Sequence, residues 1–336
     1  MGRFARRLHG KRIEGDFDVV HVWLIRAALA TCLMASHVAP VAAQVASGQG
    51  EATASFRTSV EAVTMTAAVR DRRGQAVRNL SRADFEVLDS GSLIQIRDFY
   101  AGDSPISLAI LLDISGSMAV GGNIERAREA LGAAADGLRP GFDEAALFAF
   151  DADLHRMVEF TSDVERLRRV RLEGRPWGLT SLYDSIAGAA QALSSRPHHH
   201  RAVLVVTDGV DLGSRLTAQD VSTIASSIDV PVYVLVVATP EDHANRDGAS
   251  GGSENGTISQ VSLEDLARWT GGDTRVSSTS GQTASVIQDL FTEIRNRYLI
   301  TFDPHERAGW HPVEIRTRNR KLIVRARGWY RSGSLH

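Results

Sequence analysis

The sequence predicts an α/β protein, a doubly wound, Rossmann-like and mostly parallel sheet inserted in or flanked by a small β-sandwich-like domain. The first observation is a set of four apolar runs, Ile106 to Leu112, Ala145 to Phe150, Ala202 to Val206 and Val230 to Val237, with the unbroken character of strands buried on both faces. The second is that segments with apolar residues at helical spacing lie between these runs, so strands and helices alternate. The third is a change of pattern on either side, where short alternating runs and Gly-containing turns read as antiparallel strands. A composition of 43% hydrophobic and 23% charged residues over 336 positions excludes disorder as the main state.

At the N-terminus, Arg3, Arg6, Arg7, Lys11, Arg12 and Arg26 precede an almost wholly apolar stretch, Ala27 to Ala43, that closes on Val41-Ala42-Ala43. A basic region, an apolar region and a small-residue cleavage site make residues 1–43 a signal peptide cut after Ala43, and the protein is expected in the periplasm or outside the cell. Arg26, His37 and Pro40 interrupt the run too often for an anchor, which needs about 20 apolar residues, so no transmembrane span is expected in the mature chain. Acylation at Cys32 is the alternative, against which the apolar run continues past the cysteine. With Cys32 removed, the mature chain has no disulfide and no Cys-based metal site. Loss of six basic and three acidic residues moves the net charge from −2 to −5, which excludes a non-specific nucleic-acid binder.

Residues 44–55 are small and polar and read as a linker. The N-terminal β segment, 56–103, shows Val60-Ala62-Thr64-Thr66 in alternation, a turn at Asp71 to Gly74, a strand Phe85 to Leu88, a turn at Ser90-Gly91-Ser92 and a strand Leu93 to Ile96. The α/β block spans 104–297. In it Asn123 is expected to cap a helix carrying Ile124, Ala127, Leu131 and Leu138. Ser181 with Asp184, Thr217 with Asp220, and Ser262 with Asp265 have the spacing of capping boxes. Gly271-Gly272 stops the helix after Ser262, and a last helix carries Ile287, Leu290, Phe291 and Ile294. The C-terminal β segment, 298–331, holds Tyr298 to Phe302, Trp310 to Arg316 and Leu322 to Arg327. We expect the two flanking segments to pair into one sandwich.

The chemistry lies at strand ends. Asp113-Ile114-Ser115-Gly116-Ser117 follows the first buried run, so an acid and two hydroxyls emerge at the carboxyl edge of the sheet, where open α/β sheets bind ligands. Gly178-Leu179-Thr180 before a helix and Thr207-Asp208-Gly209 after a strand should reach the same edge. Such a set offers only oxygen donors, which suit a hard cation, Mg²⁺ first, and disfavour zinc or copper. Neutral hydroxyls would leave the metal acidic enough to take a carboxylate from outside.

The set D-x-S-x-S, G-x-T and T-D-G, in this order, resembles the metal-ion-dependent adhesion site of von Willebrand factor type A domains. The resemblance covers about residues 104 to 297 and implies Asp113, Ser115, Ser117, Thr180 and Asp208 as the metal set, with Mg²⁺ or Mn²⁺ bound. A narrower pattern, Val69-x-Asp71-x-x-Gly74-x-x-Val77 followed by Leu80 and Asp84-Phe85, is similar to the VWFA-related proteins described from Acidobacteria and other bacteria. That resemblance implies β segments on both sides of the α/β domain.

Other features read more plainly. Asp211 is open to two readings, a brace for the Asp208 loop or an ordinary turn residue. His198-His199-His200 falls at the opposite edge of the sheet and reads as a solvated loop, and Asp151-Ala152-Asp153 as a hairpin turn. Residues 239–258, rich in Gly, Ser, Asn and Asp, read as a flexible loop rather than a partner-selecting one. Arg166, Arg168, Arg169, Arg171 and Arg175 read as a wet helix face.

The leading functional expectation is an exported, non-enzymatic, adhesion-type binding protein that captures an Asp or Glu side chain of a protein partner through its metal. A structural envelope scaffold with an incidental metal is the alternative. A Mg²⁺-dependent hydrolase is disfavoured because Ser115 stands where an acid–base carboxylate is needed, and no His sits on a motif with Ser115 or Ser117.

Overall fold

The continuous apolar runs become the central strands of a six-stranded sheet in the computed structural model, which describes residues 62–172, 178–237, 263–304 and 307–333. All the described residues fall within one compact unit, Arg57–His336. The expected signal peptide 1–43 and linker 44–55 lie outside the described residues, as do the 239–258 loop, Arg175 and Ser262.

The strands in chain order are β1 (Val63–Arg70), β2 (Phe85–Asp89), β3 (Ser92–Ile94), β4 (Ile96–Tyr100), β5 (Ile106–Asp113), β6 (Glu144–Phe150), β7 (Leu154–Thr161), β8 (His200–Thr207), β9 (Val232–Val237), β10 (Thr274–Ser277), β11 (Tyr298–Phe302), β12 (Gly309–Thr317), β13 (Ile323–Arg325) and β14 (Trp329–Ser332). The helices are α1 (Asn123–Gly137), α2 (Val164–Arg168), α3 (Leu182–Leu193), α4 (Ala218–Ser227), α5 (263–270) and α6 (Ser280–Arg295).

The large sheet runs β10-β9-β8-β5-β6-β7, parallel throughout except for the edge hairpin strand β7. Every residue of β5 is buried because both faces are covered. Alternate residues serve different cores. Ile106, Leu108, Ile110 and Leu112 pack with Ala127, Leu131, Ile287, Leu290 and Ile294 of α1 and α6. Ala109 and Leu111 pack with Leu182, Ile186, Val221 and Leu266 of α3, α4 and α5. Each fully buried aliphatic side chain contributes roughly 1.5–3 kcal/mol, so these two layers dominate stability.

Strands from before and after this block share two antiparallel sheets, β13-β1-β11-β4 and β14-β12-β2-β3. Val63 to Ala67 of β1 lie opposite Phe302 to Tyr298 of β11, and Phe85 to Asp89 of β2 opposite Thr317 to Val313 of β12. Their inner faces meet in one core with Met65, Val69, Phe85, Val87, Ile300, Phe302, Val313 and Tyr330. The pairing of the two flanking segments is therefore as expected, and the α/β block is inserted between the strands of this sandwich.

Several local expectations are corrected. Leu93 to Ile96 is not one strand: the chain changes sheets at Gln95, β3 pairing with β2 and β4 with β11. Alternation reports which face a residue takes and is blind to such a corner. Gly122, at φ +74°, is the cap of α1, and Asn123 is its buried first residue. Ser181 and Asp184 do not form a box: Asp184 instead accepts from the backbone of Arg215 and Leu216. The Thr217–Asp220 box does form. Strands β10 and β14 are too short to show a period.

A buried ionic network joins sandwich to α/β layers. Arg70 pairs with Asp273 at 2.6 Å and with Glu293, and Glu293 accepts from the Tyr233 hydroxyl at 2.9 Å. Arg297, almost fully buried, donates to that hydroxyl at 2.8 Å and to the Gly271 and Thr66 carbonyls. Arg327 pairs with Asp229 at 3.1 Å. Gly271, at φ +80°, permits this approach: a Cβ there would stand 2.8 Å from the Ala326 backbone, and one on Gly272 would stand 2.0 Å from the Val232 carbonyl oxygen of β9.

Candidate functional site

Three loops meet at the carboxyl edge of the large sheet. Asp113 is the last residue of β5, Ser115 and Ser117 follow it, Thr180 stands ahead of α3, and Asp208 follows β8. The expected residues are thus brought to one place, and backbone hydrogen bonds stitch the loops together. The Gly116 N–H donates to the Gly178 carbonyl at 3.3 Å, and the N–H groups of Leu212 and Gly213 donate to the Thr180 carbonyl at 3.0 and 2.9 Å.

Asp113 is fully buried, and hydrogen bonds orient both its oxygens. Oδ1 accepts from the Ser115 N–H at 2.9 Å, and Oδ2 from the Thr207 hydroxyl at 2.6 Å. Burial pushes its carboxyl up to about 6, against the hydrogen bonds of Ser115 and Thr207, and the negative charge of Asp208 pushes the same way. Among the described residues no Arg or Lys pairs with Asp113. Ser115 and Ser117 stand hydroxyl to hydroxyl at 3.1 Å, and Ser115, Thr180 and Asp208 are buried.

Two carboxylates and three hydroxyls in a polar, largely water-excluded corner form an oxygen-only donor set suited to a hard divalent cation. Among the described residues no cluster of three or more His, Cys, Asp or Glu is placed to hold a metal, so the hydroxyls are indispensable to any such site.

Residues 108–210 match the family described as von Willebrand factor type A domain. Over that stretch the chain has the fold of a von Willebrand factor type A domain. Solved structures similar to it include BatB from Bacteroides thetaiotaomicron, at 20% identity and a TM-score of 0.43, covering 56% of this chain and 98% of that one. A von Willebrand factor type A protein from Catenulispora acidiphila matches at 12% identity and a TM-score of 0.44, over 82% of this chain and 74% of that one. The pilus adhesin SpaC from Lactobacillus rhamnosus GG matches at 10% identity and a TM-score of 0.43, over 74% of this chain and 47% of that one. No curated protein sequence matches the chain.

Just past the matched residues, Asp211 has a definite place. Its Oδ1 accepts from the Leu182 N–H at 2.8 Å and from the Ser214 hydroxyl at 2.6 Å, and Ser214 Oγ accepts from the N–H groups of Tyr183 and Asp184. Asp211 and Ser214 thus cap α3 from another loop and hold Thr180, just ahead of it, in position. Sequence reading had no signal for Ser214, and Thr207 was visible only as part of its T-D-G triplet. Val120, Leu179 and Leu212, one from each loop, are exposed and supply an apolar rim. His200 lies at the amino end of β8, away from the site and buried rather than solvated. Asp151 to Asp153 form the β6–β7 turn, as read. Among the described residues no helix is long and apolar enough to cross a membrane.

Proposed function

We infer that this chain is an exported, non-enzymatic binding protein whose von Willebrand factor type A domain holds Mg²⁺ or Mn²⁺ through Asp113, Ser115, Ser117, Thr180 and Asp208. A metal held there would accept an Asp or Glu side chain of a protein partner. The observation that carries this reading is Asp113: a fully buried carboxylate beside a second acid, ringed by hydroxyls, with no cation of the described protein to balance it. Buried negative charge of this kind is costly, and a divalent cation from solution would offset it. When bound, the metal supplies the positive field that attracts an outside carboxylate. The protein's own residues orient the donors, and the rim of Val120, Leu179 and Leu212 offers apolar contact around the acid. Ser115 and Ser117 hydrogen-bond each other rather than an imidazole, which supports binding over hydrolysis.

Calorimetric titration of the protein with Mg²⁺ and Mn²⁺, beside Asp113→Ala and Thr180→Ala, tests the metal. One-to-one binding that disappears in both folded variants is expected, and wild-type-like binding in either refutes the assignment. Partner capture that survives a chelator would instead favour a scaffold role.

A further inference from the structure

A second surface is formed by α4, α5, β12 and β14. Trp269 of α5, Trp310 of β12 and Trp329 of β14 line an open pocket of about 420 Å³ with Gln219, Ser222, Thr223 and Ser226 of α4. The fold does not require these indoles. β12 turns Val313 and Ile315 into the sandwich core and β14 turns Tyr330 inward, so Trp310 and Trp329 stand on the solvent face. They are diagonal neighbours across the β12–β14 pair, Trp310 opposite Arg331 and Pro312 opposite Trp329. Likewise α5 commits Leu263 and Leu266 to the core and leaves Trp269 outside.

The three are 39%, 39% and 52% exposed. Three indoles thus reach solvent around one pocket. No lining residue is ionisable, so the pocket has no charge to offer a phosphate, a carboxylate or an ammonium group. Its polar wall consists of hydroxyls and one amide, and among the described residues nothing hydrogen-bonds to the side chains of Gln219 or Ser222 or to any of the three indole N–H groups.

We propose that this pocket binds a neutral polysaccharide chain. A pyranose has two weakly polar faces of carbon-bound hydrogens, which sit on the negative face of an indole, and a rim of hydroxyls that both donate and accept. Indole faces beside Gln219, Ser222 and Thr223 match both halves of that chemistry, and the pocket size suits a short stretch of sugar units. A proline-rich peptide is the competing occupant of an aromatic groove.

The chain has five tryptophans and three line this pocket, so intrinsic fluorescence reports on it directly. The purified protein is titrated with cellohexaose, maltohexaose and chitohexaose, and separately with decaproline. We expect a saturable change with at least one oligosaccharide, Kd on the order of 0.1 mM, weakened about tenfold or more in Trp310→Ala and Trp329→Ala. Asp113→Ala should bind the sugar as wild type does, which separates this site from the metal edge. Because both tryptophans are on the solvent face, the variants should keep the wild-type far-UV spectrum. If either does not, Gln219→Ala supplies the same test from the polar wall. Response to decaproline alone, response to neither, or sugar binding indifferent to all three substitutions would overturn the proposal.

Discussion

Replacing Asp211 by Ala should damage the fold and the proposed metal site together, because one carboxylate serves both. Its Oδ1 holds the Leu182 N–H and the Ser214 hydroxyl, and Ser214 in turn holds two further N–H groups at the start of α3. Loss of a helix cap costs about 1–2 kcal/mol, and release of Ser214 adds roughly 0.5–1 kcal/mol. The total, about 1.5–3 kcal/mol, should lower Tm by roughly 3–6 °C for a chain of this size. Thr180 lies just ahead of the freed turn, so Mg²⁺ affinity should fall about 10-fold or more, the usual effect of removing a residue that orients a ligand. Thermal melts without metal measure the first effect and calorimetric titration below Tm the second. Asp211→Asn retains an acceptor oxygen and should recover most of both. Metal affinity equal to wild type in a clearly destabilised Asp211→Ala would show that α3 does not position Thr180 for the ion, and an unchanged Tm would show that the cap carries no weight.

Three further outcomes follow from the packing. Burial, together with the charge of nearby Arg297, pushes the His200 imidazole down from its ordinary 6.5 to about 4, so the unfolded chain takes up its proton first and stability is lost as pH falls from 6.5 toward 4. His200→Leu should remove about 2 kcal/mol of the loss between pH 7 and pH 5 in urea unfolding, and identical pH slopes would contradict this. Arg70→Ala strands the buried Glu293, which keeps only the Tyr233 hydroxyl, while Asp273 keeps Arg275 and Arg325; it should cost about 3–5 kcal/mol by the same measurement, whereas a loss below about 1 kcal/mol would mean the network is dispensable. Gly272→Ala places a methyl against the Val232 carbonyl at 2.0 Å, inside a parallel sheet that cannot yield, and should cost more than about 3 kcal/mol; near-normal stability would show that the backbone relaxes there.

Much of the architecture was legible because it depends on local periodicity. A strand buried on both faces must be apolar at every position, and β5, β6, β8 and β9 announce themselves in that way. The candidate donors were legible for a related reason: Asp113, Ser115 and Ser117 are spaced by two, and Asp208 directly follows a recognisable strand. Other features depend on residues that meet only after folding. The corner at Gln95 is set by which partner strand is at hand, β2 for Leu93 and β11 for Phe99, and alternation is the same in either sheet. Ser181 and Asp184 have the spacing of a box, yet Asp211 and Ser214 reach the α3 N–H groups from another loop and displace it. Arg297 would be placed at the surface by its charge, and its burial is tolerated because Tyr233, Gly271 and Thr66 surround it with acceptors. The three tryptophans lie on elements far apart in the chain, and no local pattern marks them as neighbours. Periodicity and strand-end chemistry are properties of short segments, so the chain alone carries them, whereas capping across loops, buried charge and a pocket shared by four elements exist only once distant segments exclude water from between them.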